Sequence, residues 1–364
     1  MIVQDVINHI EELAPLAYAE DFDNVGLLIG ERNTKITSIL VTLDTLECVI
    51  DEAIEKKCNL IVSFHPIIFS GLKQLNGSTY VERTVIKAIQ NNIAIYAAHT
   101  ALDNTFNGVN AKLCDVLGIR KRHILIPQQN TIKKLITFVP PKHANSVREA
   151  LFNAGAGTIG NYDNCSFNTD GTGTYKGNEH SNPVIGERGK FEQEPETQIG
   201  VIYPKHLEKN ILNALFDSHP YEEVAYECYA LENTNQHIGM GMIGELDDAM
   251  DEHVFLTMLK EKLNLTCIRH SELISKKVKK VAVLGGSGAF AIEHAKKANA
   301  DVFITSDIKY HQFFQAENSL LLIDAGHYET EQFTKNLLVD YLKEKIHNFA
   351  IVLSECNTNP IKYF

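Results

Sequence analysis

No two of the seven cysteines stand in C-x-x-C spacing, and their number is odd. Cys48, Cys58, Cys114, Cys165, Cys228, Cys267 and Cys356 are scattered along 364 residues. That scatter excludes a disulfide framework of the small secreted kind and predicts reduced thiols, most of them packed as small hydrophobes. No apolar run reaches the roughly 20 residues that a membrane-spanning helix requires. The opening stretch MIVQDVINHIEELAP lacks a basic n-region and a long apolar core. It reads as an amphipathic helix with acidic residues, not as a secretory leader. Positive charge is also scarce: 34 Lys and Arg stand against 46 Asp and Glu, a net charge of −12. Nucleic acid and anionic membranes both need a basic face, so neither is expected as a partner, although a local basic patch stays open. No low-complexity tract and no short repeat occurs. The expected location is cytoplasmic.

What is present suffices for a sizeable core, with 44% hydrophobic residues. The length favours two domains, or one core with an insertion. Ser38–Asp44, Asn59–Phe64 and Ile93–Ala97 read as buried strands, with helical periodicity over Leu46–Lys57 and Tyr80–Asn91. The same alternation returns near the end. Lys279–Leu284, Asp301–Thr305, Leu320–Ile323 and Phe349–Leu353 read as strands, and Ala289–Asn299 and Glu329–Lys345 as helices. Alternating strands and helices imply a mainly parallel sheet.

The middle reads differently. Lys134–Val139, His143–Asn153, Asn164–Phe167, then 199–203, 205–216 and 224–230 give the order β-α-β-β-α-β, the ferredoxin-like pattern. Residues 168–198, rich in Gly, Asn, Thr, Glu and Pro, read as a long loop or an irregular hairpin. The predicted architecture is an α/β core in two halves, 1–128 and 234–364, split by an inserted α+β ferredoxin-like domain over 129–233.

Candidate chemistry gathers at strand ends. His65 follows NLIVSF and precedes Pro66, which disfavours helix at His65. His99 follows IAIYAA, with Asp103 four residues on, and His327 follows LLLIDAG. In open α/β sheets ligands bind beyond the carboxyl ends of strands. His327 and Glu331 are four apart on an expected helix and share a face. An imidazole and a carboxylate there form half of a metal site, and mixed N/O ligation suits Zn²⁺, Mn²⁺ or Fe²⁺. Each of these residues also fits a blander role, as a surface or capping histidine or a solvated first-turn acid. Glu329 is expected in solvent. Asp23, in DFDNVG, fits a tight turn or a ligand-orienting role. Gly285–Gly288 fits a strand–helix turn or a phosphate cradle, but lacks the full G-x-G-x-x-G spacing and a Walker lysine. Asp307, Lys309 and His311 fit a pocket or the surface. His219, in HPYEE, fits a turn or a second metal site.

Six segments together resemble the GTP cyclohydrolase type-2 homologues, also called NGG-one-interacting-factor-three-like proteins. They are DFDNVGLLIG (21–30), SFHPIIFSGLK (63–73), AAHTALDN (97–104), VLGGSGAF (283–290), ITSDIKYHQ (304–312) and DAGHYETE (324–331). The middle segment looks like the PII/CutA-like domain inserted in longer bacterial members. The resemblance implies a toroidal homohexamer whose divalent metals face its cavity. It also implies a ligand set that falls here on His65, Asp103, His327 and Glu331, with His99 as a candidate catalytic acid/base. It further implies hydrolysis of a nucleotide or related small molecule, such as opening of the GTP imidazole ring. The alternative is a non-catalytic metal- or metabolite-sensing or scaffold hexamer. Two positions depart from the family. Its first adjacent histidine falls on Phe64, which cannot ligate, so one ion, or two with an asymmetric second site, is expected. Ser306 stands where the family often has glycine.

Overall fold

Spacing of Val3, Val6, Ile7 and Ile10 puts four buried side chains on one face of α1 (Val3–Leu13). The computed structural model describes residues 1–364. It divides into two units, Met1–Pro127 with Gln236–Phe364, and Gln128–Asn235. In the first unit, β1 (Gly26–Ile29) and β2 (Ile39–Thr42) are followed by α2 (Glu47–Glu55), β3 (Leu60–Ser63), α3 (Tyr80–Gln90) and β4 (Ala94–Ala97). Every residue of β2, β3 and β4 is buried, as continuous apolar runs in a parallel sheet covered on both faces should be. The register sets Thr42 beside Ser63 and Ser63 beside Ala97, so three strand ends finish level. The antiparallel β1 pairs with β4, Gly26 opposite Ala97. The Thr79 hydroxyl caps α3 by accepting from the Glu82 N–H. Two short helices, α4 (His99–Asp103) and α5 (Val109–Leu117), follow before β5 (Arg120–Gln128). Gly118, at φ 79°, closes α5 in the left-handed conformation.

The second unit runs β6 (Ile132–Val139), α6 (Ala144–Asn153), β7 (Phe167–Lys176), β8 (Phe191–Pro204), α7 (Glu208–Ser218) and β9 (Tyr226–Ala230). Its sheet has the order β7-β8-β6-β9, with every pair antiparallel. Leu135, Ile199 and Val201 on the sheet pack against Val147, Leu151, Ile211 and Leu215 on the two helices. Much of the expected loop over 168–198 is strand. β7 and β8 form a long hairpin, and Phe167, expected to end a strand, begins one. The alternation was hidden because β7 is exposed along most of its length and carries Gly, Thr and Asn where a half-buried strand shows apolar residues.

The first unit resumes with β10 (Asn235–Asp251), α8 (Glu252–Lys262), β11 (Arg269–His270), β12 (Lys277–Ser287), α9 (Ile292–Lys297), β13 (Val302–Ser306) and β14 (Leu321–Asp324). The six-stranded sheet has the order β11-β14-β13-β12-β10-β5. Its central strands β12, β13 and β14 are parallel. The helix expected over Glu329–Lys345 is two, α10 (His327–Glu331) and α11 (Thr334–Lys345). The last strand, β15 (Ile351–Leu353), pairs parallel with β2 and completes a five-stranded sheet of order β1-β4-β3-β2-β15. Leu338, Val339 and Leu342 of α11 join Val3, Val6 and Ile7 of α1 in one core. The architecture is mixed α/β, built on three sheets. No helix is long and apolar enough to cross a membrane.

Candidate metal centre

Parallel pairing carries the chain past the end of β3. The Phe64 and His65 N–H groups donate to the carbonyls of Thr42 and Leu43, at 3.1 and 2.9 Å. The Ser63 hydroxyl donates to the His65 carbonyl at 2.8 Å. His65 is therefore fixed by backbone bonds at a strand's carboxyl end. His99 opens α4 two residues past the end of β4, and its N–H donates to the Phe64 carbonyl at 2.9 Å. Its φ of 22° is rare for a non-glycine residue and persists only where the surroundings hold it. From the second sheet, β14 ends at Asp324, Gly326 turns the chain at φ 89°, and α10 begins at His327. Glu331 is one helical turn on and buried, 3% exposed.

Three ligand-type atoms, from His65, His327 and Glu331, lie within 4.8 Å of one another. Glu331 Oε2 stands 3.1 Å from His65 Nε2 and 3.2 Å from His327 Nε2. It is nonetheless buried without a properly directed hydrogen bond. Each imidazole is turned by a carboxylate behind it: His65 Nδ1 bonds Asp44 Oδ1 at 2.8 Å, and His327 Nδ1 bonds Asp307 Oδ2 at 2.7 Å. The Thr358 hydroxyl donates in turn to Asp44 Oδ2 at 2.5 Å. Carboxylates behind metal-ligating histidines fix the tautomer and aim the other nitrogen. Asp103 lines the same cavity as His327 and Glu331, outside the group of three. Its Oδ1 is likewise buried and unpaired.

The electrostatics favour a cation. Burial first, and the nearby Glu331 charge second, push the Asp103 pKa well above the usual carboxylate range. Burial alone would also raise Glu331, but its contacts with His327 and His65 outweigh it and bring its pKa to about 2. Burial works against charge on His65, yet Asp44 and Glu331 raise its pKa to about 10. On His327, Glu331 and Asp307 overcome burial and raise it to about 9. Without a metal the two imidazoles thus hold protons to balance the carboxylates. A divalent ion would replace those protons and give the two orphaned oxygens a partner, so the residues present fit such an ion. Phe64, fully buried, offers no donor. Its ring centroid lies 4.8 Å from that of His65 and 5.6 Å from that of His99.

His99 belongs to a neighbouring pair. Its Nδ1 bonds Asp23 Oδ1 at 2.8 Å, and Asp23 Oδ2 accepts from the Thr100 N–H and hydroxyl at 3.1 and 2.5 Å. The Asp23 side chain is fully buried. Burial opposes its charge, but the bonds from His99 and Thr100 win and lower its pKa to about 2. An ionised Asp23 accepts a hydrogen bond from Nδ1–H, which keeps the proton on Nδ1 and leaves the lone pair on Nε2. A cavity of about 220 Å³ joins these groups, walled by Phe22, Phe69, His99, Asp103, His327 and Glu331.

Other sequence candidates resolve differently. Gly285, Gly286 and Ser287 end β12 and do not form a phosphate turn. A Cβ at Gly286 would overlap Glu331 Oε1 and stand 3.4 Å from His327 Nε2. The glycine makes room for the Glu331 carboxylate. Glu329 is buried, not solvated, and accepts from Asn359 Nδ2 at 2.9 Å. Asp307 reaches the centre through His327, while Lys309 and His311 are exposed. His219 uses both nitrogens locally, Nε2 on the Phe138 carbonyl and Nδ1 on the Tyr221 N–H, which leaves none for a metal. Asp44 and Thr358 escaped the sequence reading. Asp44 ends the apolar run after β2, a position of the same kind as His65, and was the signal available.

A mixed α/β scaffold that carries histidines and carboxylates at strand ends defines a candidate metal-binding protein. The chain belongs to the Duf34/NIF3 (NGG1p interacting factor 3) family, whose model matches residues 1–360. It is 40% identical over 365 residues to the "GTP cyclohydrolase 1 type 2 homolog" of Bacillus subtilis (strain 168), covering 99% of this chain and 98% of that protein. Among solved structures it is similar to a Bacillus cereus protein related to NIF3, at 37% identity and TM-score 0.86, covering 100% of this chain and 99% of that one. It is also similar to Staphylococcus aureus protein SA1388, at 30% identity and TM-score 0.80, with the same coverage.

Proposed function

We propose that this chain is a divalent-metal-binding protein whose centre, His65, Asp103, His327 and Glu331, serves hydrolysis of a nucleotide or a related small molecule. The observation that carries this reading is the convergence of two aimed Nε2 atoms on the buried, unpaired Glu331 Oε2. Such an ion, Zn²⁺, Mn²⁺ or Fe²⁺, would supply Lewis acidity and lower the pKa of water. The chain's own part is positional. Asp44 and Asp307 aim the imidazoles, and Asp23 holds His99 with its Nε2 free to accept and return a proton. Phe22 and Phe69 wall the cavity beside His99 with apolar surface suited to a planar base. The name carried by the relatives supports GTP as the first substrate to try.

Phe64 favours a second reading, a non-catalytic metal- or metabolite-sensing hexamer, because it leaves any second ion without its nitrogen donor. We also read the chain as a cytoplasmic, toroidal homohexamer on the strength of its family. The unit Gln128–Asn235 is read as ferredoxin-like and PII/CutA-like, supported by its element order and its β7-β8-β6-β9 sheet. Elemental analysis and GTP turnover with added Zn²⁺ or Mn²⁺ separate the readings. Hydrolysis requires turnover that disappears in His327→Ala together with the metal. Full metal loading without turnover of GTP removes the cyclohydrolase assignment, and unchanged metal in His327→Ala removes the site.

A further inference from the structure

A cavity of about 560 Å³ lies within the unit Gln128–Asn235 and involves none of the metal-site residues. It begins on the sheet. Alternate residues of a strand share a face, so Phe138, Gln198 and Glu196 stand opposite the buried Val139, Ile199 and Thr197. Register brings Gly171 beside Glu196 and Thr169 beside Gln198 on that open face. Two glycines keep it hollow. A Cβ at Gly173 would overlap the Glu196 carboxylate, whereas one at Gly171 would meet nothing within 4 Å.

The segment between β7 and β8 folds back and is tied in place. The Tyr175 hydroxyl donates to the Ile185 carbonyl at 2.6 Å, and the Asn182 N–H donates to Glu222 Oε1 at 2.5 Å. Across the cavity the Tyr221 hydroxyl donates to Glu196 Oε1 at 2.9 Å. The walls therefore combine aromatic faces of Phe138, Tyr175 and Tyr221 with Val184. Glu196, Glu222 and Glu223 stand against a single cation, Lys176, whereas Asp170 turns to the other face and accepts from the Thr197 hydroxyl at 2.8 Å. A cavity of this volume suits a small molecule. Its excess of carboxylates disfavours an anion, and aromatic faces beside carboxylates attract an alkylated ammonium.

We propose that this cavity binds a small organic cation, an ammonium group carrying an apolar body. The carboxylate of Glu196, oriented by Tyr221, faces the charge, and the tyrosine and phenylalanine rings cover the body.

Isothermal titration calorimetry of the full chain with benzyltrimethylammonium tests this, with the neutral neohexanol and the anion phenylacetate as comparisons. The cation is expected to bind, and the other two to bind at least about tenfold more weakly. Glu196→Gln should weaken the cation by about tenfold, and Gly171→Leu, which fills open space on an exposed strand, should abolish binding. Thermal melts and metal content should match wild type in both variants, which separates loss of the site from loss of the fold. Equal affinity for the neutral probe, no heat from the cation, or an unaltered Kd in Glu196→Gln overturns the proposal. So does a wild type that ignores the cation while Gly171→Leu changes its oligomeric state, because the cavity then receives a second copy of the chain.

Discussion

Glu331 Oε2 lies 3.1 Å from His65 Nε2, across from a residue 266 positions earlier in the chain, with no directed hydrogen bond between them. Two sheets contribute this pair, β3 leading to His65 and β14 leading through α10 to Glu331. The contact has the form of two ligands sharing an ion, and His65 can share only if its other nitrogen is held. Asp44→Asn should therefore weaken metal binding by about 10–100-fold with the fold intact, the usual effect of losing a carboxylate behind a ligand histidine. Competition against a chromogenic chelator reads the affinity. Thr358→Val, one bond further out, should show a smaller loss in the same direction.

The pairing that aims the imidazoles also makes them basic, so pH reports on them. In the metal-free protein, burial opposes but the carboxylates enforce pKa values of about 10 for His65 and about 9 for His327. Both exceed the unfolded value of about 6.5. Their stabilisation is complete below that value and is lost as pH rises toward the folded values, because there the folded state holds protons that the unfolded state has released. Metal must displace the same protons, so its apparent affinity should rise with pH over that window. Melting of chelator-treated protein across this range should show a falling midpoint. Calorimetry of Zn²⁺ in buffers of different ionisation enthalpy near neutral pH should show net proton release. An affinity flat with pH contradicts the assigned ligands.

How much of this was legible in the sequence depended on distance along the chain. His65 and His327 showed themselves because a strand's carboxyl end is visible as an apolar run that stops, and Glu331 because four residues make one helical turn. Asp103 showed only as the acid four residues after His99, and family resemblance was what made it a ligand candidate. The partners that aim the imidazoles were harder. Thr358 meets Asp44 across 314 positions, and no periodicity encodes such a contact. Gly286 looked like a phosphate turn because glycine signals backbone freedom wherever it falls. Here its role is set by a carboxylate arriving from α10. β7 and the first half of β8 hid because they show little to the core that Ile199 and Val201 join further along β8, which removes the alternation that identifies a strand.

Phe64 offers a test of how many ions the centre holds. It is fully buried beside the His65 and His99 rings, so a histidine placed there would enter the same wall with a nitrogen the phenylalanine lacks. Phe64→His should raise bound metal from near one per chain toward two, measured by elemental analysis after dialysis. Without metal the variant should lose about 1–3 kcal/mol from burying an unsatisfied imidazole. Saturating Zn²⁺ should recover that loss, read by denaturant unfolding. A count that stays at wild-type level shows that position 64 faces no second ion.

Gly286 gives the sharpest separation of site from fold. Its φ of 69° is left-handed, and a Cβ there would overlap Glu331 Oε1. Glu331 can clear that Cβ only by turning toward the cavity it lines, so Gly286→Ala should move the carboxylate off the point shared by His65 and His327. Metal affinity should fall by at least about tenfold, and the backbone strain should cost about 1–3 kcal/mol. The neighbouring Gly285→Ala is the internal control. Its Cβ would stand 3.2 Å from Val109 Cγ1 and 3.4 Å from Glu331 Cγ, with no carboxylate oxygen in its way. It should cost some stability by crowding the α5 contact but keep most of the metal. Equilibrium dialysis against buffered Zn²⁺, with circular dichroism on the same samples, measures both quantities. Wild-type affinity in Gly286→Ala would mean that the Glu331 carboxylate is free to bind elsewhere. Equal losses in both variants would mean that β12 packing, and not the carboxylate's place, controls the site.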